Sequence, residues 1–182
     1  MSQETGLLEA AHRGDAEALG QIFDLYAPAL FRYAMRLCHD AAEADRIVGD
    51  VFAQLLEKLA SGRGPKTNLR SYLYQIAYHV LVDHIRDAGH VTSMEDAPNL
   101  PDGRLSVAAQ VEEQESLREL EHAIIHALTS EQQHVIVLRF VEGFSLQETA
   151  EITGKKVTAV SVLQNRAIGK LRQLLGARLG MG

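Results

Sequence analysis

Between Glu151 and the final residue, Gly182, the sequence contains no Asp or Glu, while Lys155, Lys156, Arg166, Lys170, Arg172 and Arg178 all fall within it. Cations gathered without acids suit a polyphosphate, because each Lys or Arg placed on a phosphate releases condensed counterions. Interleaved with them are Thr158, Ser161, Val162 and Asn165. An Asn can pair with an adenine edge and a Val can meet a thymine methyl, although each of these side chains is equally at home in solvent. A second group, Arg63, Lys66, Asn68 and Arg70, lies in or beside a Gly- and Pro-containing segment, followed by Tyr72, Tyr74 and Tyr78. Tyrosines near cations can stack on unpaired bases, but Tyr72 also stands at core spacing. A third group is Glu121, His122 and His126. Two His one turn apart can share a metal, yet the helical metallohydrolase pattern needs Glu directly after the first His, where this chain has Ala123. With no phosphate loop, nucleophile elbow or cysteine pair, no catalytic residue, metal or cofactor is assigned. The chemistry is that of binding.

Helices must position these groups. Pro is scarce, Trp is absent, and apolar residues recur at helical spacing. From Asp15, Leu19, Ile22, Phe23, Tyr26, Leu30, Phe31, Ala34 and Met35 form one core-facing stripe, with Pro28 predicting a break or restart. Asp40 and Glu43 predict a capping box for a second helix, whose stripe runs through Ile47, Val48, Val51, Phe52, Leu55, Leu56 and Leu59 to the loop SGRGPKT. Asn68 can cap a third helix that stops at Gly89. The stretch from about residue 90 to 110 carries Pro98, Pro101, Gly103, Glu95, Asp96 and Asp102 and predicts an acidic linker. Beyond it, helices are predicted near Val111–Ala127, from Thr129 or Ser130 to Gly143, from Ser145 (with Glu148) to about Thr153, and from about Thr158 to Ala177. A short helix, a glycine turn at Gly154 and a longer basic helix make a helix-turn-helix, whose second helix enters the major groove. On helical spacing Val160, Ala167, Leu171 and Leu174 form the buried face of that last helix.

The fold class is therefore all-α: two small helical domains joined by a flexible linker, residues 1–89, 90–110 and 111–182. At 182 residues and 46% hydrophobic content the chain can build such cores. The net charge of −6 excludes wholesale coating of nucleic acid and leaves the basic end as a local device. A lone Cys38 excludes a disulfide framework and a thiolate zinc cage. No apolar run reaches the roughly 20 residues of a membrane span, and the start lacks a secretory pattern, so no membrane insertion and a cytoplasmic location are expected.

The segment ALTSEQQHVIVLRFVEGFSLQETAEITGKKVTAVSVLQNRAIGKLRQLL resembles the C-terminal promoter-binding domain of the ECF (extracytoplasmic-function) sigma factors of bacterial RNA polymerase. The matching positions are Ala127, Leu128, Val135, Leu138, Arg139, Glu142, Gly143, Ser145, Glu148, Ala150, Gly154, Val160, Arg166 and Ala167. Ala44 to Phe52, ADRIVGDVF, is similar to the family's polymerase-docking A-E-D-L-V-Q-E-V-F, with Gly49 and Asp50 in place of Gln and Glu. LRSYLYQIAYHVLVDHIRD resembles the segment that meets and opens the minus-10 element, keeping Leu73, Ile76, Ala77, Asp83 and Arg86, with Tyr72 for Trp and His79 for Asn. In the last helix Ser161, Val162 and Asn165 replace the more usual Lys, Ser and His, and Lys155 replaces an apolar residue.

The resemblance implies polymerase contacts at Asp45, Arg46, Gly49, Asp50 and Gln54. It implies minus-10 contacts at Arg63, Lys66, Asn68, Arg70, Tyr72, Gln75, His79 and Arg86, and minus-35 contacts at Lys155, Lys156, Thr158, Ser161, Val162, Asn165 and Arg166. Core RNA polymerase, promoter DNA and an anti-sigma factor are the implied partners. The alternative is an effector-responsive dimeric helix-turn-helix regulator, with residues 1–90 as a ligand or dimerisation domain; such a protein binds a palindrome without polymerase.

Overall fold

The computed structural model describes residues 3–91 and 127–179, and among these every regular element is a helix. Nearly all of the predicted linker, most of the helix predicted from Val111, and Glu121, His122 and His126 lie outside the described residues.

Helix α1 (Gln3–His12) corresponds to no predicted element. It buries Leu8 and Ala11, and it ties down the 61–68 loop through His12 Nε2, 2.8 Å from the Pro65 carbonyl. Gly64 in that loop lies so close to Leu59 and His12 that a Cβ would fall 2.6 Å from Leu59 Cδ2. Helix α2 (Ala16–Cys38) starts at Asp15, whose carboxylate accepts from the amides of Glu17 and Ala18. The predicted break at Pro28 does not occur: α2 is continuous through it. Pro28 and Asp24, whose carbonyl loses its helical partner, are both on the exposed side, where water can serve that carbonyl. Ile22, Ala27, Leu30, Tyr33 and Ala34 meanwhile hold both halves of the helix to one core. Phe23, predicted on the core stripe, is 46% exposed and leans on Phe52, the ring centroids 4.7 Å apart.

Helix α3 (Ala41–Ala60) buries Ala44, Ile47, Val48, Val51, Phe52, Leu55 and Leu59, whereas Leu56 from the predicted stripe is exposed. Asp40 caps the Glu43 amide at 2.7 Å, but the Glu43 carboxylate turns to Arg46 and His84, so only half of the predicted capping box forms. Helix α4 (Leu69–Val91) runs two residues past Gly89. Its first amide, Leu69, donates to Glu4 of α1 at 3.1 Å, so a remote carboxylate does the capping predicted for Asn68, which instead adopts a left-handed φ of 53°.

In the C-terminal part, Thr129 and Gln132 form a capping box for α5 (Ser130–Ile136), which continues as a π-helical turn, Val137–Val141. Ser145 and Glu148 form the predicted box for α6 (Leu146–Thr153). Gly154 ends α6 at φ 66°, a conformation that glycine adopts without a Cβ penalty, and α7 (Val157–Leu179) follows. Val160 and Ala167 are fully buried as predicted, with Leu171 and Leu174 half-buried.

The helix-turn-helix has its own small buried cluster, Val135, Ala150 and Val160. A separate core for each domain, the expectation from helical stripes, is nevertheless not observed. Leu138, Phe144 and Ile152 belong to one buried cluster with Tyr33, Leu73, Tyr74 and Leu81 of the N-terminal helices. The C-terminal elements are apolar on two sides, and periodicity cannot say which of two neighbours a second side meets.

Candidate nucleic-acid and polymerase interfaces

The docking candidates sit on one solvent-facing stretch of α3: Asp45, Arg46, Gly49 and Gln54 are exposed and Asp50 is half-buried. Their opposite face is the buried stripe from Ile47 to Leu55, so core packing fixes the direction in which they project. Arg46 is held by bonds to the Glu43 carboxylate at 2.8 and 3.1 Å, and both residues contact His84 of α4.

The minus-10 candidates divide into two sets. Arg63, Lys66 and Asn68 are exposed in the loop before α4, and His79 and Arg86 are exposed along it, the latter paired with Asp83 at 3.1 Å. Arg70 and Gln75 are engaged elsewhere. The Arg70 guanidinium donates to the Glu142 carbonyl at 2.5 Å and lies 4.0 Å over the Phe144 ring, while the Gln75 amide reaches the Glu151 carbonyl at 3.5 Å. Tyr72 is half-buried against the core. Tyr74 and Tyr78, read as possible base-stacking residues, are buried in this arrangement. Burial raises the Tyr74 hydroxyl well above the ordinary phenol range, reinforced by its 2.5 Å hydrogen bond to the Glu142 carboxylate.

The minus-35 candidates share the outward face of α7 and the turn before it. Lys156, Thr158, Val162, Asn165 and Arg166 are exposed and Ser161 is half-buried. Thr158, Ser161, Val162 and Asn165 fall at i, i+3, i+4 and i+7, one face of the helix. Lys155 differs from its neighbours, because its ammonium is paired with Glu131 at 2.5 Å. That hydrogen bond raises the Lys155 pKa, so the charge is retained but already has a carboxylate partner. Arg139, matched by the resemblance, is structural here: it binds Gln164 of α7 and the Phe144 carbonyl, fastening the π turn to α7.

Sequence reasoning missed a cluster at the junction of the two domains. The Tyr33 hydroxyl of α2 meets His134 Nδ1 of α5 at 2.8 Å, and the Tyr78 ring packs edge-on against the same imidazole at 4.8 Å. Glu142, its side chain only 10% exposed, faces Arg36 and Arg70 at 3.8 Å each and accepts from Tyr74. Tyr33 and His134 are 101 positions apart, so no local pattern joins them. Among the described residues no His, Cys, Asp and Glu cluster could hold a metal ion, and no helix is long and apolar enough to cross a membrane.

Residues 22–91 match the family model for Sigma-70 region 2 and residues 124–173 that for Sigma-70, region 4, together about two-thirds of the chain. The ECF RNA polymerase sigma factor BldN of Streptomyces coelicolor is 28% identical over 176 residues, covering 93% of this chain and 64% of BldN. The ECF RNA polymerase sigma factor SigX of Bacillus subtilis is 25% identical over 163 residues, covering 86% of this chain and 83% of SigX. The structure of CnrH in complex with the cytosolic domain of CnrY superposes with a TM-score of 0.70 at 25% identity, covering 95% of this chain and 97% of that one. Sigma-70 region 2 and region 4 in one chain do not favour the regulator alternative, and the protein belongs to the ECF sigma factors of the sigma-70 family.

Proposed function

We propose that this chain binds core RNA polymerase through the exposed face of α3, reads the minus-10 element with α4 and its preceding loop, and reads the minus-35 element with α7. The observation that carries this reading is the joint presence of two binding faces of different chemistry. One is a mixed-charge helix face, Asp45, Arg46, Gly49, Asp50 and Gln54, and the other a recognition helix exposing Lys156, Thr158, Val162, Asn165 and Arg166. The first suits a protein partner, since an acidic pair on it would repel a phosphate backbone. The second supplies a long cation for positioning and an amide for base edges.

The chain breaks and forms no covalent bond in this mechanism. Its contribution is binding free energy spent on placing polymerase at a promoter and on holding unpaired bases of the opened strand. Working with bacterial polymerase places it in the cytoplasm. An anti-sigma factor is a further proposed partner, supported by the solution of the similar CnrH with a second protein bound to it.

The test is transcription by core polymerase from a library of promoter fragments, with and without the purified chain. Initiation at specific starts that requires the chain is the expected result. A chain that leaves polymerase activity unchanged and alone footprints a palindrome as a dimer would make it a conventional regulator.

A further inference from the structure

Helix α1 stands ahead of the residues matched to region 2 and carries none of the candidate contacts, yet two of its side chains end on or beside the loop assigned to minus-10 reading. His12 Nε2 lies 2.8 Å from the Pro65 carbonyl, and since a carbonyl only accepts, the ring nitrogen carries the proton and donates. At the loop's exit the Glu4 carboxylate accepts from the Leu69 amide at 3.1 Å, and Tyr26 of α2 hydrogen-bonds the same carboxylate. The loop is thus tied to α1 at its middle and at its end.

Its backbone needs such ties. The entry is fixed by α3, whose Leu59 and Lys58 carbonyls accept from the Gly62 and Arg63 amides. Beyond that, residues 64–67 make no backbone–backbone hydrogen bond among the described residues. Asn68 stands at a left-handed φ of 53°, a conformation that surrounding contacts must hold in a residue with a Cβ. Gly64 sits where a Cβ would come 3.0 Å from the His12 ring and 2.6 Å from Leu59 Cδ2, so the loop backbone lies directly on α1 and α3. Arg63, Lys66 and Asn68 therefore project, exposed, from a path that a helix outside the loop defines.

We infer that His12 and Glu4 are positioning residues for minus-10 recognition: without touching DNA, they hold the 61–68 loop in the path that aims Arg63, Lys66 and Asn68 at the strand, so that base discrimination there depends on α1. The inference rests on the proposed reading of this loop. Its physical content is preorganisation, because a loop already ordered gives up little conformational freedom on binding. A displaced loop still offers its cations to any phosphate but no longer sets one side chain against one base edge. Discrimination falls before general affinity does.

The experiment compares the full chain with His12→Ala, His12→Gln, Glu4→Ala and Glu4→Gln. Gln supplies an N–H donor in place of the imidazole and an acceptor oxygen in place of the carboxylate, whereas Ala supplies neither. Loop order is read without polymerase, from the rate of tryptic cleavage after Arg63 and Lys66 followed by mass spectrometry. Reading is measured with core polymerase, as the ratio of initiation rates on a selected promoter and on the same promoter with each minus-10 base pair replaced in turn. The Ala variants should raise the cleavage rate about fivefold, the factor one hydrogen bond of ordinary net strength is worth, and lower the ratio by a similar factor at one or more positions. The Gln variants should stay within about twofold of wild type in both measurements. A substitution that merely lowers the folded fraction reduces initiation on all promoters alike and leaves the ratio in place. Should an Ala variant lose helical circular dichroism, Gly64→Ala replaces it, lifting the loop off His12 and Leu59 with Glu4 and His12 intact, and the same two changes are expected. An unchanged cleavage rate, faster cleavage with an unchanged ratio, or Gln variants that fall as far as the Ala ones each overturn the inference. Failure of the proposed function would appear instead in the wild type, as absence of chain-dependent initiation with core polymerase.

Discussion

Acidification should loosen the junction through His134, and the size of the effect follows from its surroundings. The imidazole is 1% exposed; Nδ1 meets the Tyr33 hydroxyl and Nε2 is buried without a hydrogen-bond partner. The groups that face it are Tyr33 from α2, Tyr78 from α4, Glu131 on its own helix and Lys155 from the turn before α7. Burial, outweighing the opposite pull of Glu131, lowers its pKa from 6.5 to about 4. Above pH 6.5 the imidazole is neutral in the closed and open chains alike, and the junction keeps its full stability. As pH falls below 6.5 the open or unfolded chain takes up a proton that the closed chain does not, so stability is lost progressively until about pH 4. At 1.36 kcal/mol per unit the loss approaches ~2 kcal/mol by pH 5 and ~3 kcal/mol by pH 4. The assay is urea unfolding followed by circular dichroism between pH 8 and 5, on the wild type and on His134→Gln. Carboxylates elsewhere contribute equally to both, so the difference in slope isolates the imidazole. Equal slopes for the two proteins would refute this account of the junction.

Reversing charge at Asp45 and Asp50 together should weaken core polymerase binding by about tenfold, chiefly through association rate, as titration with labelled polymerase at two salt concentrations would show. Binding of the same variant to duplex DNA through α7 should be unchanged, because α3 packs chiefly against α2 and α4. Lys156→Ala should weaken binding to all duplexes alike and lower the magnitude of the salt slope by about 1. Asn165→Ala should leave the slope in place and cost about 1 to 3 kcal/mol on a selected minus-35 sequence alone; affinity against salt on selected and scrambled duplexes separates the two roles. Ser145→Ala removes the acceptor of the Glu148 amide and should cost about 1 kcal/mol in chemical denaturation, the usual worth of an N-cap.

Much of the architecture was legible because its signals are local. Ser145 with Glu148, Gly154 and the Val160–Ala167 spacing each report on neighbours within one or two turns, and the structure has all of them. Asp15 and Asp40 likewise mark helix starts. What local signals could not carry was partnership at a distance. Glu4 caps α4 from 65 positions away, and Asn68, nearer and of the right type, does not occupy the cap conformation. Pro28 predicts a break or restart because the lost hydrogen bond is a local cost, whereas the compensating burial of Leu30, Tyr33 and Ala34 is tertiary. The candidate site shows the same division. Exposed faces of α3 and α7 are what remains after the buried stripe is assigned, so spacing finds them. The engagement of Arg70, Tyr74 and Gln75 with Glu142, Phe144 and Glu151 depends on where a second domain lands, which neither charge nor periodicity encodes.

The π-helical turn makes chain length, as well as side-chain identity, a condition of this arrangement. The Glu142 amide reaches back five residues to the Val137 carbonyl at 2.9 Å, so the turn between Ile136 and Glu142 accommodates one residue more than an α-helix would. Deleting one residue there would restore ordinary helical bonding while leaving the direction of the downstream chain nearly unchanged, because the wide turn already absorbs the extra residue. A deletion in the regular helix before it, within Ser130–Ile136, would instead rotate everything downstream by about 100° and swing Glu142 and Phe144 away from Arg70 and Tyr74. In an alignment of relatives, a one-residue gap is therefore compatible with this packing at the π turn and incompatible with it one turn earlier, however well the flanking motifs agree.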